Sequence, residues 1–221
     1  MTYLRFSIFL LVSLPVGTFA QDEFSQNTTV THGTKTYTLR CDDTTGLPLV
    51  NVTLKGTTAD TMVSKQQLDE IDDCSRASWV TEKIGENNSS TLVLLNPGRS
   101  GANAQYNVFL LADESVSLAG YLPVSAEKVG DLEYRSYSSD AGSIWERTDT
   151  LQEGKFQVTN ELQLIMSGSV CMSKGRGIIM QEPCRAKQVV ARPRKPICIE
   201  YKDHAGKLLP NSACARLAEQ M

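Results

Sequence analysis

The stretch LEYRSYSSDAGSIWERT, Leu132–Thr148, contains two runs of alternating apolar and polar residues on either side of the turn-like sequence SSDAG. Alternation with a period of two places every second side chain on one face of a strand, and short segments rich in Ser, Asp and Gly join antiparallel neighbours. This stretch therefore predicts a β-hairpin, with Glu133 and Glu146 on neighbouring strands.

Runs of the same kind lie on both sides of this hairpin. Two further pairs of runs precede it: Thr36–Cys41 with Leu49–Lys55, and Thr91–Leu95 with Tyr106–Leu111. Five more runs follow it: Lys155–Val158, Leu162–Met166, Val170–Met172, Ile178–Met180 and Pro196–Tyr201. Because no long amphipathic helices separate these short runs, the sequence predicts a mainly β protein, an antiparallel β-sandwich or barrel.

One segment has the features of a short helix. Ser64 and Gln67 have capping-box spacing, and Leu68 and Ile71 lie three residues apart. This spacing predicts a surface helix over Ser64–Cys74.

The first twenty residues have the layout of a cleavable secretion signal. Arg5 is followed by the mostly apolar run Phe6–Val12. The small residues Thr18 and Ala20 then come just before a polar segment. The apolar run is too short to anchor a chain in a bilayer. We therefore expect residues 1–20 to be a signal peptide, and the mature protein to be periplasmic or secreted without a membrane anchor.

All six cysteines lie beyond this signal, at Cys41, Cys74, Cys171, Cys184, Cys198 and Cys214. An exported chain with an even number of cysteines is expected to be a disulfide protein. Local pairing would join neighbours in sequence, but six cysteines allow many connectivities. The predicted domains are a flexible leader at 21–35, an acidic β domain at 36–169 and a C-terminal disulfide-stapled β subdomain at 170–221.

Charge divides along the same boundary. Residues 21–169 hold 11 Lys and Arg against 21 Asp and Glu, whereas residues 170–221 hold 10 against 4. The acidic part suits a cationic protein partner and repels the phosphates of a nucleic acid, so we expect no nucleic-acid role. The basic part either binds an anionic surface or folds back onto the acidic part.

The sequence carries no constellation typical of an enzyme, a metal site or a cofactor site. It has no G-x-S-x-G motif and no C-x-x-C, and its two histidines, His32 and His204, lie in polar segments that we expect to be exposed. The acids Glu133 and Glu146 are more typical of solvated side chains than of a glycosidase pair. We therefore expect a protein that is not an enzyme.

A binding surface is the remaining interpretation. The segment Pro97–Tyr106, PGRSGANAQY, is long, rich in small residues and placed between two predicted strands, where recognition loops are often found. Tyr134, Tyr137 and Trp145 place aromatic side chains on a neighbouring hairpin, either as interface anchors or as core residues.

Three segments resemble bacterial periplasmic lysozyme inhibitors, which are small β-barrels. They are YTLRCDD with PLVNVTL, the SG-x4-Y sequence Ser100-Gly101…Tyr106, and Glu127–Asp131 with Lys128. The resemblance covers about residues 36–131. The chain departs from the family pattern in two places. Four residues separate Gly101 from Tyr106, where the family has two, and Val129 separates Lys128 from Gly130. Tyr106–Val158 also resembles immunity proteins that block peptidoglycan-cleaving toxins.

The resemblance implies a function and a site. The serine of the loop would enter an enzyme cleft and hydrogen-bond a catalytic carboxylate, with Lys128 as a second contact. We therefore expect an inhibitor of a cationic cell-wall hydrolase, with Ser100, Gly101, Tyr106 and Lys128 as partner-binding residues. Two alternatives remain open at this point: an adhesin-like or structural component of an extracellular assembly, with the leader as a donated strand, and an enzyme acting on carbohydrate.

Overall fold

The part of the chain that the structure describes folds mainly into antiparallel strands. The computed structural model describes residues 25–44, 48–68, 74–96, 98, 104–112, 115–140, 142–167, 170–173, 179–181, 188–191, 195–202 and 205–219. Strands β1 to β9 are Asn27–His32, Lys35–Asp42, Leu49–Leu54, Thr61–Gln67, Ser78–Ile84, Ser90–Asn96, Gln105–Ala112, Ser115–Pro123 and Glu127–Gly130. Strands β10 to β17 are Glu133–Asp140, Ser143–Gln152, Lys155–Ile165, Val170–Ser173, Ile179–Gln181, Gln188–Ala191, Ile197–Lys202 and Ala205–Leu209, and helix α1 is Ala215–Ala218.

These strands form four sheets. Sheet 1 has the order β1-β2-β3-β4, and sheet 2 has the order β5-β6-β7-β8. Sheet 3 has six strands in the order β17-β16-β12-β11-β10-β9, and the small sheet 4 has the order β14-β13-β15. All of the strand pairs are antiparallel, so the predicted fold class is confirmed.

Sheet 2 lies between sheets 1 and 3. Side chains alternate across its strands, so that Val93 and Leu95 of β6 pack with the apolar residues of sheet 1. Leu92 and Leu94 of the same strand pack on the other side, against a cluster that includes Tyr134 of sheet 3. Strands buried on both faces are apolar throughout rather than alternating, and the sequence TLVLL of β6 has this character.

Sheet 3 continues beyond this three-layer core and includes the C-terminal residues. Strand β16 pairs directly with β12, from Ile165 opposite Ile197 to Glu161 opposite Tyr201. The Cys198–Cys214 disulfide then holds helix α1 against this part of the sheet, where Leu217 is fully buried. The domain boundary predicted at residue 170 therefore lies between β12 and β16, which are neighbouring strands of sheet 3.

A buried ion cluster joins helix α1 to sheet 3. Glu146 of β11 is 1% exposed, and its Oε1 accepts a hydrogen bond from Arg216 Nη2 at 3.0 Å. Arg135 of β10 approaches the same oxygen with its Nε at 3.8 Å. Two buried polar atoms of this cluster, Glu146 Oε2 and Arg135 Nε, have no hydrogen-bond partner among the described residues. The carboxylate is therefore stabilised mainly by the two guanidinium charges.

The strand pairs predicted from the sequence are confirmed, but the predicted helix is wrong. The hairpins of β2 with β3, β6 with β7, and β10 with β11 all form. Residues predicted to begin a helix at Ser64 instead belong to β4, in which Ser64 lies opposite Val52 of β3. Helical capping is a local preference, and pairing with β3 outweighs it by satisfying the same backbone groups in a sheet. Residues 69–73 lie outside the described ranges.

The segment predicted as a flexible leader contributes a strand. Asn27–His32 form β1, which pairs along its whole length with β2, from Asn27 opposite Arg40 to His32 opposite Lys35. The segment NTTVTH has few apolar residues, and only Val30 and His32 are buried within it. Its order therefore depends on its neighbours rather than on its own sequence. Residues 1–20, the expected signal peptide, lie outside the described ranges.

Two of the locally paired disulfides are confirmed, Cys41–Cys74 and Cys198–Cys214. Cys171 is also disulfide-bonded, and Cys184 lies outside the described ranges. Disulfides persist in oxidising compartments, and these therefore indicate an oxidising environment for the folded protein. In the part of the chain that the structure describes, no helix has both the length and the apolar character needed to cross a bilayer.

We expect Arg216→Ala to lower the free energy of unfolding by about 1–2 kcal/mol, because it removes the hydrogen-bonded partner of a buried carboxylate. The effect is less than the full cost of breaking a buried pair, since half of the Arg216 side chain is exposed. Urea denaturation measures it. The control is Lys202→Ala, which removes an exposed lysine paired with Glu200 and should change stability less. Equal effects of the two variants would contradict the role assigned to Arg216.

Candidate functional site

The connection between β6 and β7 joins the two central strands of sheet 2. Its start is fixed at Gly98, whose backbone N–H donates to Asn96 Oδ1 at 2.9 Å. Gly98 has φ of +77°, and an added Cβ would overlap Arg76, so only glycine fits there. Its end is fixed at Ala104, whose carbonyl accepts from Val124 N–H at 2.9 Å. The predicted Ser100 and Gly101 lie outside the described residues.

The predicted Lys128 occupies a polar contact between sheets 2 and 3. Its Nζ lies 2.8 Å from Glu82 Oε1 and 3.9 Å from Asp131 Oδ1. The second oxygen of Glu82 accepts a hydrogen bond of 2.5 Å from the hydroxyl of Tyr134. About a third of the Lys128 side chain is exposed. Lys128 is therefore an ion-paired residue at the surface rather than an isolated cation.

The Tyr134 hydroxyl is held as a proton donor. Burial raises the pKa of this phenol well above its usual value, and the hydrogen bond to Glu82 raises it further. The ring packs edge-on against Phe156 at 5.5 Å between ring centroids. Tyr134 was one of the candidate interface aromatics, but it is a core residue with its hydroxyl bonded to a surface carboxylate.

Two of the predicted binding residues lie at the same interface but at different levels along its strands: Asn107, next to Tyr106, is level with Trp79 of β5, three residues from Glu82, the ion-pair partner of Lys128. Tyr106 of β7 packs against the cluster that contains Tyr134, and Lys128 of β9 lies opposite Tyr134 in the sheet. Both therefore lie along the interface between sheets 2 and 3. The Tyr106 side chain is half-buried, so most of its surface supports the core. The sequence did not single out Glu82, because its importance depends on contacts with a different sheet.

The two carboxylates considered for catalysis, Glu133 and Glu146, differ in burial. Glu133 is exposed opposite Thr150, whereas Glu146 lies opposite Tyr137 and is buried in the ion cluster with Arg216. The expectation that Glu146 is a solvated side chain is therefore wrong. Four residues along the strand separate the two positions, which corresponds to roughly 13 Å.

The expectation for His32 is also wrong, because this residue is 8% exposed and not on the surface. Its Nδ1 lies 3.2 Å from the hydroxyl of Thr91 in sheet 2, so it bridges sheets 1 and 2. His204 lies outside the described residues. Among the residues that the structure describes, no three His, Cys, Asp or Glu side chains are grouped closely enough to hold a metal ion.

The third aromatic candidate, Trp145, is half-buried on sheet 3. It stacks on Tyr201 with 5.5 Å between ring centroids and an interplanar angle of 28°. The Tyr201 hydroxyl donates to Oε1 of the fully buried Gln163, whose Nε2 donates to Ser143 Oγ. Burial, followed by the charge of Glu161, raises the pKa of Tyr201 to about 12. Trp145 is therefore packed against a hydrogen-bonded residue of its own sheet.

No protein-family model, curated protein or solved structure matches this chain.

We expect Tyr134→Phe to destabilise the protein by about 1 kcal/mol, because Glu82 then loses its hydrogen-bond donor in a partly buried setting. The matched control is Tyr137→Phe on the same strand, whose hydroxyl makes no hydrogen bond among the described residues. Urea denaturation of both variants measures the difference. A Tyr137→Phe variant that is as destabilised as Tyr134→Phe would contradict the assigned hydrogen bond.

We also expect stability to fall as the pH rises above about 10, where unfolded tyrosines ionise. Tyr201 has a folded pKa raised to about 12, so the native state keeps its proton over a range in which the unfolded state loses it. This contribution is complete below pH 10 and disappears as the pH approaches 12. Tyr201→Phe should reduce the slope of unfolding free energy against pH, measured by urea denaturation, and an unchanged slope would contradict the assignment.

Proposed function

We propose that this chain is an exported binding protein that inhibits a peptidoglycan-cleaving enzyme, with the β6–β7 connection inserted into the enzyme's cleft. The observation that supports this is the position of the connection on β6 and β7. Residues Thr91–Leu95 and Asn107–Leu111 of these strands are all buried. A loop carried on such a rigid support loses less conformational freedom on binding than one carried on an exposed hairpin.

The anchoring of both ends supports the same role. The hydrogen bond from Gly98 to Asn96 and the one from Val124 to Ala104 hold the connection at its two stems. Within it, Ser100 is the residue proposed to hydrogen-bond a catalytic carboxylate of the enzyme. A hydroxyl can donate this bond without burying an additional charge, which avoids the cost of an unpaired ion in a closed cleft.

Charge supports the choice of partner. Residues 21–169 carry a net charge of −10, against +6 for residues 170–221, and this acidic part would attract a cationic hydrolase at long range. Lys128 would be a second contact only by exchanging the carboxylate of Glu82 for one on the enzyme. That exchange costs little, because both partners of the present pair are partly exposed.

A donated-strand assembly has less support. Such an assembly needs an N-terminal segment free to pair with another subunit. Here Asn27–His32 already pair with β2 of the same chain as strand β1. We therefore do not propose the structural function.

The test is an inhibition assay with the mature, oxidised protein against a panel of cationic lysozymes and muramidases acting on purified peptidoglycan. Ser100→Trp should abolish inhibition and leave the thermal midpoint nearly unchanged. The matched control is Ser115→Trp, at the exposed first residue of β8, and it should inhibit like the wild type. Association should slow as salt is added, since the attraction between the two charged proteins is screened.

Wild-type inhibition by Ser100→Trp would show that the connection is not the inhibitory element. No inhibition of any hydrolase in the panel by the wild-type protein would overturn the proposed function itself.

A further inference from the structure

Four asparagines of the chain begin an N-x-S/T sequence, the acceptor sequence for an N-linked glycan: Asn27, Asn51, Asn87 and Asn88. A glycan is bulky and hydrophilic, so a folded protein carries one only where the asparagine side chain reaches solvent. Asn51 does not meet this condition. It lies within β3, its Oδ1 is buried, and its Nδ2 donates to a carboxylate oxygen of Asp42 at 3.4 Å.

The turn that joins β5 to β6 carries two of the other three asparagines, Asn87 and Asn88. Residues 86–89 are all exposed. The backbone holds the turn by itself, because the N–H of Asn88 donates to the Gly85 carbonyl at 3.0 Å and the N–H of Gly85 donates to Asp131 Oδ2 at 2.9 Å. Neither asparagine side chain hydrogen-bonds any residue that the structure describes. Both side-chain amides are therefore exposed and not needed to hold the turn.

The backbone conformation explains why asparagines stand in this turn, but not which residues stand beside them. Asn87 has φ of +53° and Asn88 has φ of +57°, a left-handed region that asparagine adopts more readily than most residues. Glu86 is exposed, and within the described ranges its side chain has no ion pair. The hydroxyl of Ser90 likewise has no hydrogen bond there. The fold therefore does not use the acid and the hydroxyl that flank Asn88.

These flanking residues distinguish Asn88 from the other three asparagines. The acceptor sequence of bacterial N-oligosaccharyltransferases has an acidic residue two positions before the asparagine, in addition to the hydroxyl residue two positions after it. Glu86 and Ser90 occupy these two positions around Asn88. A serine, a leucine and a glycine stand two positions before Asn27, Asn51 and Asn87, in that order.

We propose that Asn88 is a site of N-linked glycosylation, used when the chain is exported. The co-reactant is an oligosaccharide linked to a lipid diphosphate, and the exporting cell supplies the transferase. The Nδ2 of Asn88 attacks the anomeric carbon of the first sugar, so that a C–N bond forms and the C–O bond to the diphosphate breaks. The lipid diphosphate leaves with the electron pair of that bond, and the amide gives up one proton to the transferase.

The position of Asn88 keeps a glycan away from the β6–β7 connection. The turn lies at the Ser90 end of β6, and the connection begins after Asn96 at the other end. The two ends are about 20 Å apart, since each residue of a strand adds about 3.3 Å. A glycan on Asn88 leaves that connection uncovered, and the proposal does not depend on the proposed inhibition.

The experiment expresses the full chain in a bacterium whose periplasm contains an N-oligosaccharyltransferase and its lipid-linked donor. The intact mass of the exported protein should rise by one glycan, and peptide mass spectrometry should locate it on Asn88. Asn88→Gly should abolish the modification, whereas the matched control Asn87→Gly should keep it. Glycine adopts the left-handed conformation without strain, so both variants keep the turn. Glu86→Gln should lose most of the modification, because it removes only the acidic charge.

The proposal is overturned if the exported wild-type protein carries no glycan, or if the glycan is found on Asn27, Asn51 or Asn87. It is also overturned if Asn88→Gly is still modified, or if Glu86→Gln is modified as fully as the wild type. The thermal midpoint of each variant without the transferase shows that a lost glycan is not a consequence of unfolding.

Discussion

The burial of both faces of sheet 2 holds the three layers of the protein together. If sheet 2 were covered on one side only, Leu92 and Leu94 of β6 would be exposed to water. The free energy of folding would then lose roughly 1.5–3 kcal/mol for each side chain. Sheet 3 covers them, and the N-terminal sheet covers the opposite face. The three layers therefore stabilise one another, and the disulfide Cys41–Cys74 adds a covalent link within the cluster between sheets 1 and 2.

A strand that is apolar on both faces does not by itself fix its register. Shifting β6 by one residue would exchange Leu92 and Leu94 for Val93 and Leu95, all of which are apolar. Thr91 removes this ambiguity, because its fully buried hydroxyl has partners only on the side of sheet 1, at His32 and Lys83. Slipping the strand would bury that hydroxyl without a partner, which is costly. One polar residue thus selects the register of an otherwise uniform strand.

Two consecutive charged residues of β5 connect the three layers. Glu82 points towards sheet 3, where it binds Tyr134 and Lys128, and Lys83 points towards sheet 1, where it binds the Thr31 carbonyl. Neighbouring residues of a strand face opposite sides, so one dipeptide at the edge of the central sheet reaches both outer sheets.

Sequence patterns were sufficient to predict the elements whose signals are local. Alternation and turn residues defined the hairpins around SSDAG and DDTTGLP, and an even number of cysteines indicated disulfides, because each signal depends on residues close in the chain. These patterns did not determine that Ser64 belongs to a strand, that Asn27–His32 are ordered, or that β16 continues the sheet begun by β9–β12.

Those features were decided by the tertiary structure, because each depends on pairing with a distant strand. The same holds for the polar contacts of the candidate sites. Nothing near Glu146 in the sequence indicates that Arg216 will be its ion-pair partner. Likewise, nothing near His32 indicates that it will be buried beside the hydroxyl of Thr91. Local preferences are small compared with the cost of leaving backbone groups and charges without partners in a core, so partners far apart in the chain decide where these residues lie.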